Sequence, residues 1–325
     1  MEQLIKHFPT QLNESIAIAK NQKITLKRPF TNLVICGLGG SGIGGEIIKQ
    51  WLAPQAKIPV NVCHNYHLPA FVNEDTLVIT CSYSGNTEET LSALQEAIAL
   101  NAQLIAVTSG GRMEELGKEF EFPVILIPGG LPPRAALAYP LVQLAGLIDQ
   151  FKISDGRLLS SIFSAAKLIA QEQLAIKKHA LEVLNLSLNK HFLFYAEEQF
   201  YPVTLRACQQ INENGKELAF YNVIPEMNHN EIVGWAKGPD SIFAILFRSD
   251  LEFERNSSRL AFTENVIRSK TDAVFSIQMK GSNLVEQTLY AIHLVDWMSF
   301  FIAEKKGIDV TEVKVIDALK ASLAN

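Results

Sequence analysis

The sequence predicts an α/β fold of two similar doubly wound units with mainly parallel sheets. Short apolar runs recur along the chain, separated by stretches of helical length. The runs lack the polar alternation of a half-exposed sheet, so both faces must be covered, as helices cover a parallel sheet. The rhythm then occurs twice within 325 residues, a length that can close two cores.

In the first half, residues 33–36 read as a strand, a glycine turn follows, and 43–52 reads as a helix. Strands at 60–63 and 77–81 come next, the second leading through a serine-rich turn into a helix over about 88–100. Runs at 104–107 and 124–127 complete this set. Pro132-Pro133-Arg134 opens a helix reaching residue 147, because proline at a helix start gives up only an N–H that has no partner there. A polar stretch around 152–157 marks the expected division into residues 1–152 and 153–325. The second half repeats the pattern more loosely, with strands at 192–196, 242–247 and 273–277 and helices at 201–212, 254–268 and 284–305. A last helix over 309–324 is expected to pack back on a cleft between the units, where a single site would lie.

Composition narrows the function. A net charge of −5 argues against a broad electrostatic footprint for nucleic acid. No apolar run is long enough for a membrane span, and Met1 to Phe8 lack the apolar core and small-residue cleavage site of a signal peptide. Cys36, Cys63, Cys81 and Cys208 sit far apart without a CxxC, which reads as buried reduced thiols and a cytoplasmic protein.

Two turns carry the chemistry. Gly37-Leu38-Gly39-Gly40-Ser41-Gly42 and Ser82-Tyr83-Ser84-Gly85-Asn86-Thr87 each follow an apolar strand and open a helix. Exposed amides, hydroxyls and the positive end of a helix dipole suit an oxyanion such as a sugar phosphate. No Lys or Arg lies inside either turn, so the cradle is one of hydroxyls and backbone. Residues 37–42 also satisfy the dinucleotide pattern GxGxxG, but the second strand ends Cys63-His64-Asn65 with no acid for a ribose. Gly39 to Gly44 also have the spacing of a P-loop start, but Gly45 stands where lysine is needed, which argues against nucleotide hydrolysis. His64 and His67 form an HxxH that, with no acid nearby and no cysteine beyond the strand-end Cys63, falls short of the donor set a metal site wants. One hydroxyl is enough to cap a helix; Ser41, Ser82, Ser84 and Thr87 together exceed that need.

These turns resemble the phosphosugar-binding turns of sugar isomerase (SIS) domains. The chain adds, in order, Pro133-Arg134, Asn212-Glu213-Asn214, Asn228-His229-Asn230-Glu231 and Leu319-Lys320. That set resembles the bifunctional phosphoglucose/phosphomannose isomerases of the phosphoglucose isomerase superfamily over nearly the full length. The resemblance implies two SIS-type units, with Gly40, Ser41, Ser82, Ser84 and Thr87 holding the phosphate. It implies Glu213 as catalytic base, Arg134 as enediolate stabiliser, His229 as ring-opening group and Lys320 as a second residue near the ring oxygen. It further implies a homodimer with His229 supplied across the interface and no metal or organic cofactor. Thr311 matches a pocket threonine only by approximate spacing.

The chemistry calls for the same residue types. Moving a carbonyl between C1 and C2 takes a carboxylate able to remove and return a proton, and a fixed cation for the enediolate oxygen. A closed sugar ring must first be opened by an acid-base group, a task histidine suits. Arg134 at a helix start opposes the helix dipole, which favours a bound anion there. An isomerase of another phosphosugar, such as an amino-sugar phosphate, and a non-catalytic phosphosugar sensor remain open at this point.

Overall fold

Two helices, α1 (Glu2–Lys6) and α2 (Phe8–Asn21), precede the first apolar run. The chain then alternates through β1 (Asn32–Cys36), α3 (Gly39–Leu52), β2 (Val60–Cys63), β3 (Thr76–Ser82), α4 (Glu88–Ala99), β4 (Gln103–Thr108), α5 (Arg112–Glu119) and β5 (Val124–Leu126). It continues with α6 (Ala138–Gln150), α7 (Leu158–Leu186), β6 (His191–Glu197), α8 (Tyr201–Gly215), β7 (Ala219–Ile224) and β8 (Ile242–Arg248). Last come α9 (Glu254–Arg268), β9 (Val274–Gln278), α10 (Leu284–Lys306) and α11 (Lys314–Leu323). The structure, a computed structural model, describes residues 1–187 and 190–323.

The chain forms two units. One comprises His7–Gln171 with Gly281–Leu289; the other joins Met1–Lys6, Glu172–Lys280 and the segment from Tyr290 onward. In the first unit, five parallel strands lie in the order β2-β1-β3-β4-β5, with Ile35 in register between Val62 and Ile79. Every residue of β3 and β4 is buried, the expected state of a central parallel strand covered on both faces. On one face Val34, Val78 and Ala106 pack with Ala93, Leu94 and Ala97 of α4 and with Met113 and Leu116 of α5. Helices α2 and α6 are joined where Gln143 Nε2 donates to Ser15 O at 3.0 Å.

The second unit repeats the topology with a four-stranded parallel sheet, β7-β6-β8-β9. One face packs Tyr195, Ala244 and Leu246 against Met227, Trp235, Leu260 and Ile267. On the sheet itself Phe194 stacks on Phe192 and Phe247 at centroid distances of 5.9 and 6.0 Å. The α/β fold of two doubly wound parallel units is therefore the one expected.

Local differences have local causes. The glycine-rich segment is the first turn of α3 rather than a loop before it, so Gly40, Ser41 and Gly42 are helical. Pro132-Pro133-Arg134 does not open α6; a 3-10 turn spans Pro133–Ala135 and the helix begins at Ala138. Strand β7 is an edge strand with exposed or half-buried positions at Phe220, Tyr221 and Asn222, and so lacks the apolar run that marks the central strands. The last helix starts at Lys314 because the Asp309 carboxylate accepts from Thr311 N at 2.8 Å and Thr311 Oγ1 at 2.6 Å, a turn that competes with helix. Residue 324, at the expected end of that helix, lies outside the described residues.

Candidate active site

In the first sheet the strand order reverses between β1 and β3. Ligands of open α/β sheets bind at the carboxyl ends of the strands at such a reversal, because the two flanking loops diverge there. The glycine-rich opening of α3 and the serine-rich turn after β3 both leave the sheet at this place. Leu38 O accepts from Ser41 N at 3.0 Å and Gly42 N at 3.1 Å, so α3 begins with the amides of Gly39 and Gly40 ahead of its internal ladder. Ser41 is buried, and its Oγ accepts the Tyr83 amide at 3.1 Å, which ties the first segment to the second.

The second segment is held from within. Ser82 Oγ accepts from Gly85 N at 3.1 Å and shares a hydrogen bond with Thr87 Oγ1 at 2.8 Å. Ser84 is exposed, and its Oγ accepts from Asn86 N at 3.2 Å. Thr87 is the N-cap of α4, whose first turn carries Glu88 and Glu89. At Gly40 a Cβ would stand 2.9 Å from Pro133 O, so only glycine lets the Pro133-Arg134 backbone lie against the opening of α3. Arg134 is 4% exposed, which no solvated surface arginine would be. Gly40, Ser41, Ser82, Ser84, Thr87 and Arg134 thus share one end of one sheet. That arrangement can receive an oxyanion through amides and hydroxyls, with a guanidinium in the same unit.

Three further residues support the cradle, none of them given a role in it by the sequence. Tyr83 donates through its hydroxyl to Pro128 O and accepts from Leu131 N, both at 3.0 Å. Burial, partly offset by the Leu131 hydrogen bond, raises the Tyr83 pKa and keeps the phenol protonated. Ser109 Oγ donates to Tyr83 O at 2.6 Å. His64, at the carboxyl end of β2, places Nε2 2.9 Å from Glu46 Oε1 and Nδ1 2.7 Å from Gly37 O. Its pKa is raised, first by the Glu46 hydrogen bond and also by the Gly37 carbonyl, against burial. A ring facing two acceptors is best served by two N–H donors. The signal was its position after a strand of the reversed sheet. His67 instead faces Glu96 at 3.7 Å, and no group of three or more His, Cys, Asp or Glu is placed to hold a metal ion among the described residues.

The other candidates lie in the second unit. Glu213 is half-buried in the last turn of α8, and both its neighbours are anchored. Asn212 Oδ1 accepts from Ala219 N at 2.9 Å, and Asn214 Nδ2 donates to Ser299 Oγ on α10 at 3.0 Å. Lys216, in the left-handed conformation that ends the helix, donates to Glu213 O at 2.6 Å. His229 is exposed at the end of a 3-10 turn, Glu226–His229. Lys320 is exposed on α11, a helix without a buried residue.

Parallel sheets with a reversal and a hydroxyl-and-amide cradle define a doubly wound α/β protein that binds its ligand at the strand reversal. Residues 29–114 match the SIS domain family, and residues 176–323 match the family described as bacterial phospho-glucose isomerase C-terminal SIS domain. A bifunctional phosphoglucose/phosphomannose isomerase of Caldicellulosiruptor bescii is 37% identical over 336 residues, covering 100% of this chain and 99% of the relative. Another of the same name from Aquifex aeolicus is 32% identical, covering 91% of both chains. The chain belongs to the bifunctional phosphoglucose/phosphomannose isomerase family and is an enzyme of that family. Among solved structures, the C-terminal domain of glucosamine-fructose-6-phosphate aminotransferase from Francisella tularensis shares the fold. It superposes with a TM-score of 0.79 at 15% identity, covering 96% of this chain and 98% of that one.

Proposed function

We propose that the chain interconverts glucose 6-phosphate and mannose 6-phosphate with fructose 6-phosphate through a cis-enediolate, without a metal ion or organic cofactor. The observation that carries this reading is the cradle at the β1/β3 reversal with the buried Arg134 in the turn packed on Gly40. Hydroxyls of Ser41, Ser82, Ser84 and Thr87, with the amides opening α3, suit a phosphate. Membership of the family supports an isomerase. In this reading Glu213 removes the C2 proton of the open aldose and returns it to C1, while a proton passes from O2 to O1. Arg134 holds the negative oxygen of the intermediate. His229 gives a proton to the ring oxygen as the C1–O5 bond breaks and the C1 hydroxyl loses its proton to water, which yields the open aldose, with Lys320 near the ring oxygen. Glucose and mannose phosphates differ only at C2, whose stereochemistry is lost in the enediolate, so rotation about C2–C3 lets one base serve both.

The active form in this reading is a homodimer in which each site takes His229 from the neighbouring subunit; the exposure of His229 in the single chain supports that role. We place the enzyme in the cytoplasm, a reducing compartment that suits four free, buried cysteines. No described helix is long and apolar enough to cross a membrane.

The test starts from fructose 6-phosphate in deuterated water and resolves both aldose products. The wild-type protein is expected to form both with deuterium at C2. Glu213→Gln is expected to bind substrate but lose exchange by about a thousandfold. Near-normal exchange in that variant removes Glu213 from the mechanism, and formation of one aldose only removes the dual activity.

A further inference from the structure

The turn that carries His229 is anchored on both sides by polar bonds that reach into the second sheet and its covering helix. Before it, Asn228 Nδ2 donates to Thr263 Oγ1 of α9 at 2.8 Å, and Thr263 is 0% exposed. After it, Glu231 receives two donors. Tyr195 Oη donates to Glu231 Oε1 at 2.5 Å, and Asn222 Nδ2 donates to Glu231 Oε2 at 2.6 Å. Tyr195 of β6 and Asn222 of β7 are register partners on adjacent strands, so one carboxylate is tied to both strands at the same level of the sheet.

The inner end of this network is buried and aromatic. Trp235 Nε1 donates to Tyr195 Oη at 3.0 Å, and both residues are buried. Burial, and then the Glu231 hydrogen bond, push the Tyr195 pKa upward, so the phenol stays a donor to the carboxylate throughout the working range. Hydrogen bonds to an ionised acceptor are stronger than neutral ones and fix direction as well as distance. The segment between the anchors is short: His229 and Asn230 lie between Asn228 and Glu231. An exposed imidazole on a turn without such anchors would sample many positions, and a misplacement of about 1 Å in a reacting group can cost about a hundredfold in rate.

We propose that Glu231 is a positioning residue for ring opening: held by Tyr195 and Asn222, its carboxylate fixes the turn so that His229 meets the sugar ring oxygen in one orientation. The proposal rests on the reading of His229 as the ring-opening group and deepens it. Glu231 itself touches the sheet and not the sugar. Its loss therefore slows ring opening while leaving phosphate binding, which belongs to the first unit's cradle, in place.

The experiment separates ring opening from proton transfer at carbon. In a Glu213→Gln background, enzyme-dependent interconversion of the two anomers of glucose 6-phosphate, read by exchange NMR, reports ring opening and closing alone. Adding Glu231→Gln is expected to slow it by about fivefold or more, with substrate affinity within about twofold and circular dichroism unchanged. Tyr195→Phe takes one of the two donors from Glu231, together with the acceptor of Trp235 Nε1, and keeps the ring; it is expected to give a smaller loss and carries the test if Glu231→Gln does not fold. Full anomer interconversion in folded Glu231→Gln, or in folded Tyr195→Phe where that variant stands alone, overturns the positioning role. The parallel variant His229→Ala is expected to abolish the enzymic interconversion. If it does so while Glu231→Gln keeps the full rate, positioning alone fails; if His229→Ala keeps the full rate, the ring-opening reading itself falls.

Discussion

His293 shows how burial sets the chemistry of a single residue. It is 0% exposed on α10, and Trp297 Nε1 donates to its Nε2 at 3.1 Å, a contact that needs a neutral imidazole at that nitrogen. Burial pushes its pKa down from 6.5 to about 3. Between those values the unfolded chain binds a proton that the folded chain refuses. The contribution is therefore fully present above pH 6.5 and is lost as pH falls toward 3, at up to about 1.4 kcal/mol per pH unit. The Tm of the wild-type protein is expected to fall more steeply between pH 7 and pH 5 than that of His293→Gln, whose amide oxygen can still accept from Trp297. His64 has the opposite sign: its raised pKa stabilises at low pH and that gain fades as pH rises. The comparison is therefore between variants, by thermal melts at matched pH. Equal slopes remove His293 as the source.

At the scale of elements, the cradle exists because loops approach more closely than side chains would allow. Gly85 has φ +69°, and a Cβ there would stand 1.7 Å from Gly110 O, the loop after β4. That loop is itself tied to the serine turn where Ser109 N donates to Tyr83 O at 3.0 Å. Gly85→Ala therefore combines left-handed strain, about 1 kcal/mol or more, with a backbone clash that only movement of the turn can relieve. Expected is a lower Tm together with a rise in KM of about tenfold or more for every phosphorylated substrate, measured by steady-state kinetics. An unchanged KM in a folded Gly85→Ala protein would place the phosphate elsewhere. The motif Ser82-Tyr83-Ser84-Gly85-Asn86-Thr87 was legible from sequence because its turn chemistry is local. The start of α3 at Gly39 was not, since glycine's poor helix propensity argues against it and the packing of Pro133 on Gly40 favours it.

For the whole molecule, one site for two aldoses and a histidine crossing between subunits are separable expectations. If Arg134 supplies the stabilising cation for both substrates, Arg134→Ala should reduce turnover of glucose and mannose 6-phosphates alike, by about a hundredfold or more. Both activities should survive exhaustive chelation, because hydroxyls and amides are poor zinc ligands. Loss of mannose activity alone on EDTA treatment, with recovery on adding zinc, would end the single-site mechanism. The subunit expectation is tested by mixing Glu213→Gln and His229→Ala proteins under mild denaturation. Heterodimers should regain part of the wild-type activity, since one of the two sites then holds both groups intact. Verified heterodimers without activity would mean that each chain supplies its own histidine.

The amino-acid sequence by itself determined the strands that are continuous apolar runs, such as β1 and β3, the serine-rich turn after β3, and the ordered motifs around Arg134, Glu213, His229 and Lys320. These are legible because periodicity and turn chemistry act over a few residues. Tertiary structure alone decided that β7 joins the second sheet as an edge strand, that Arg134 is buried, and that His64 turns to Glu46. It also decided that Tyr195 and Asn222 meet on one carboxylate, Glu231. Each of those facts joins residues separated along the chain, through strand order and register. No local pattern encodes such a meeting; it exists only once the sheet has closed around it.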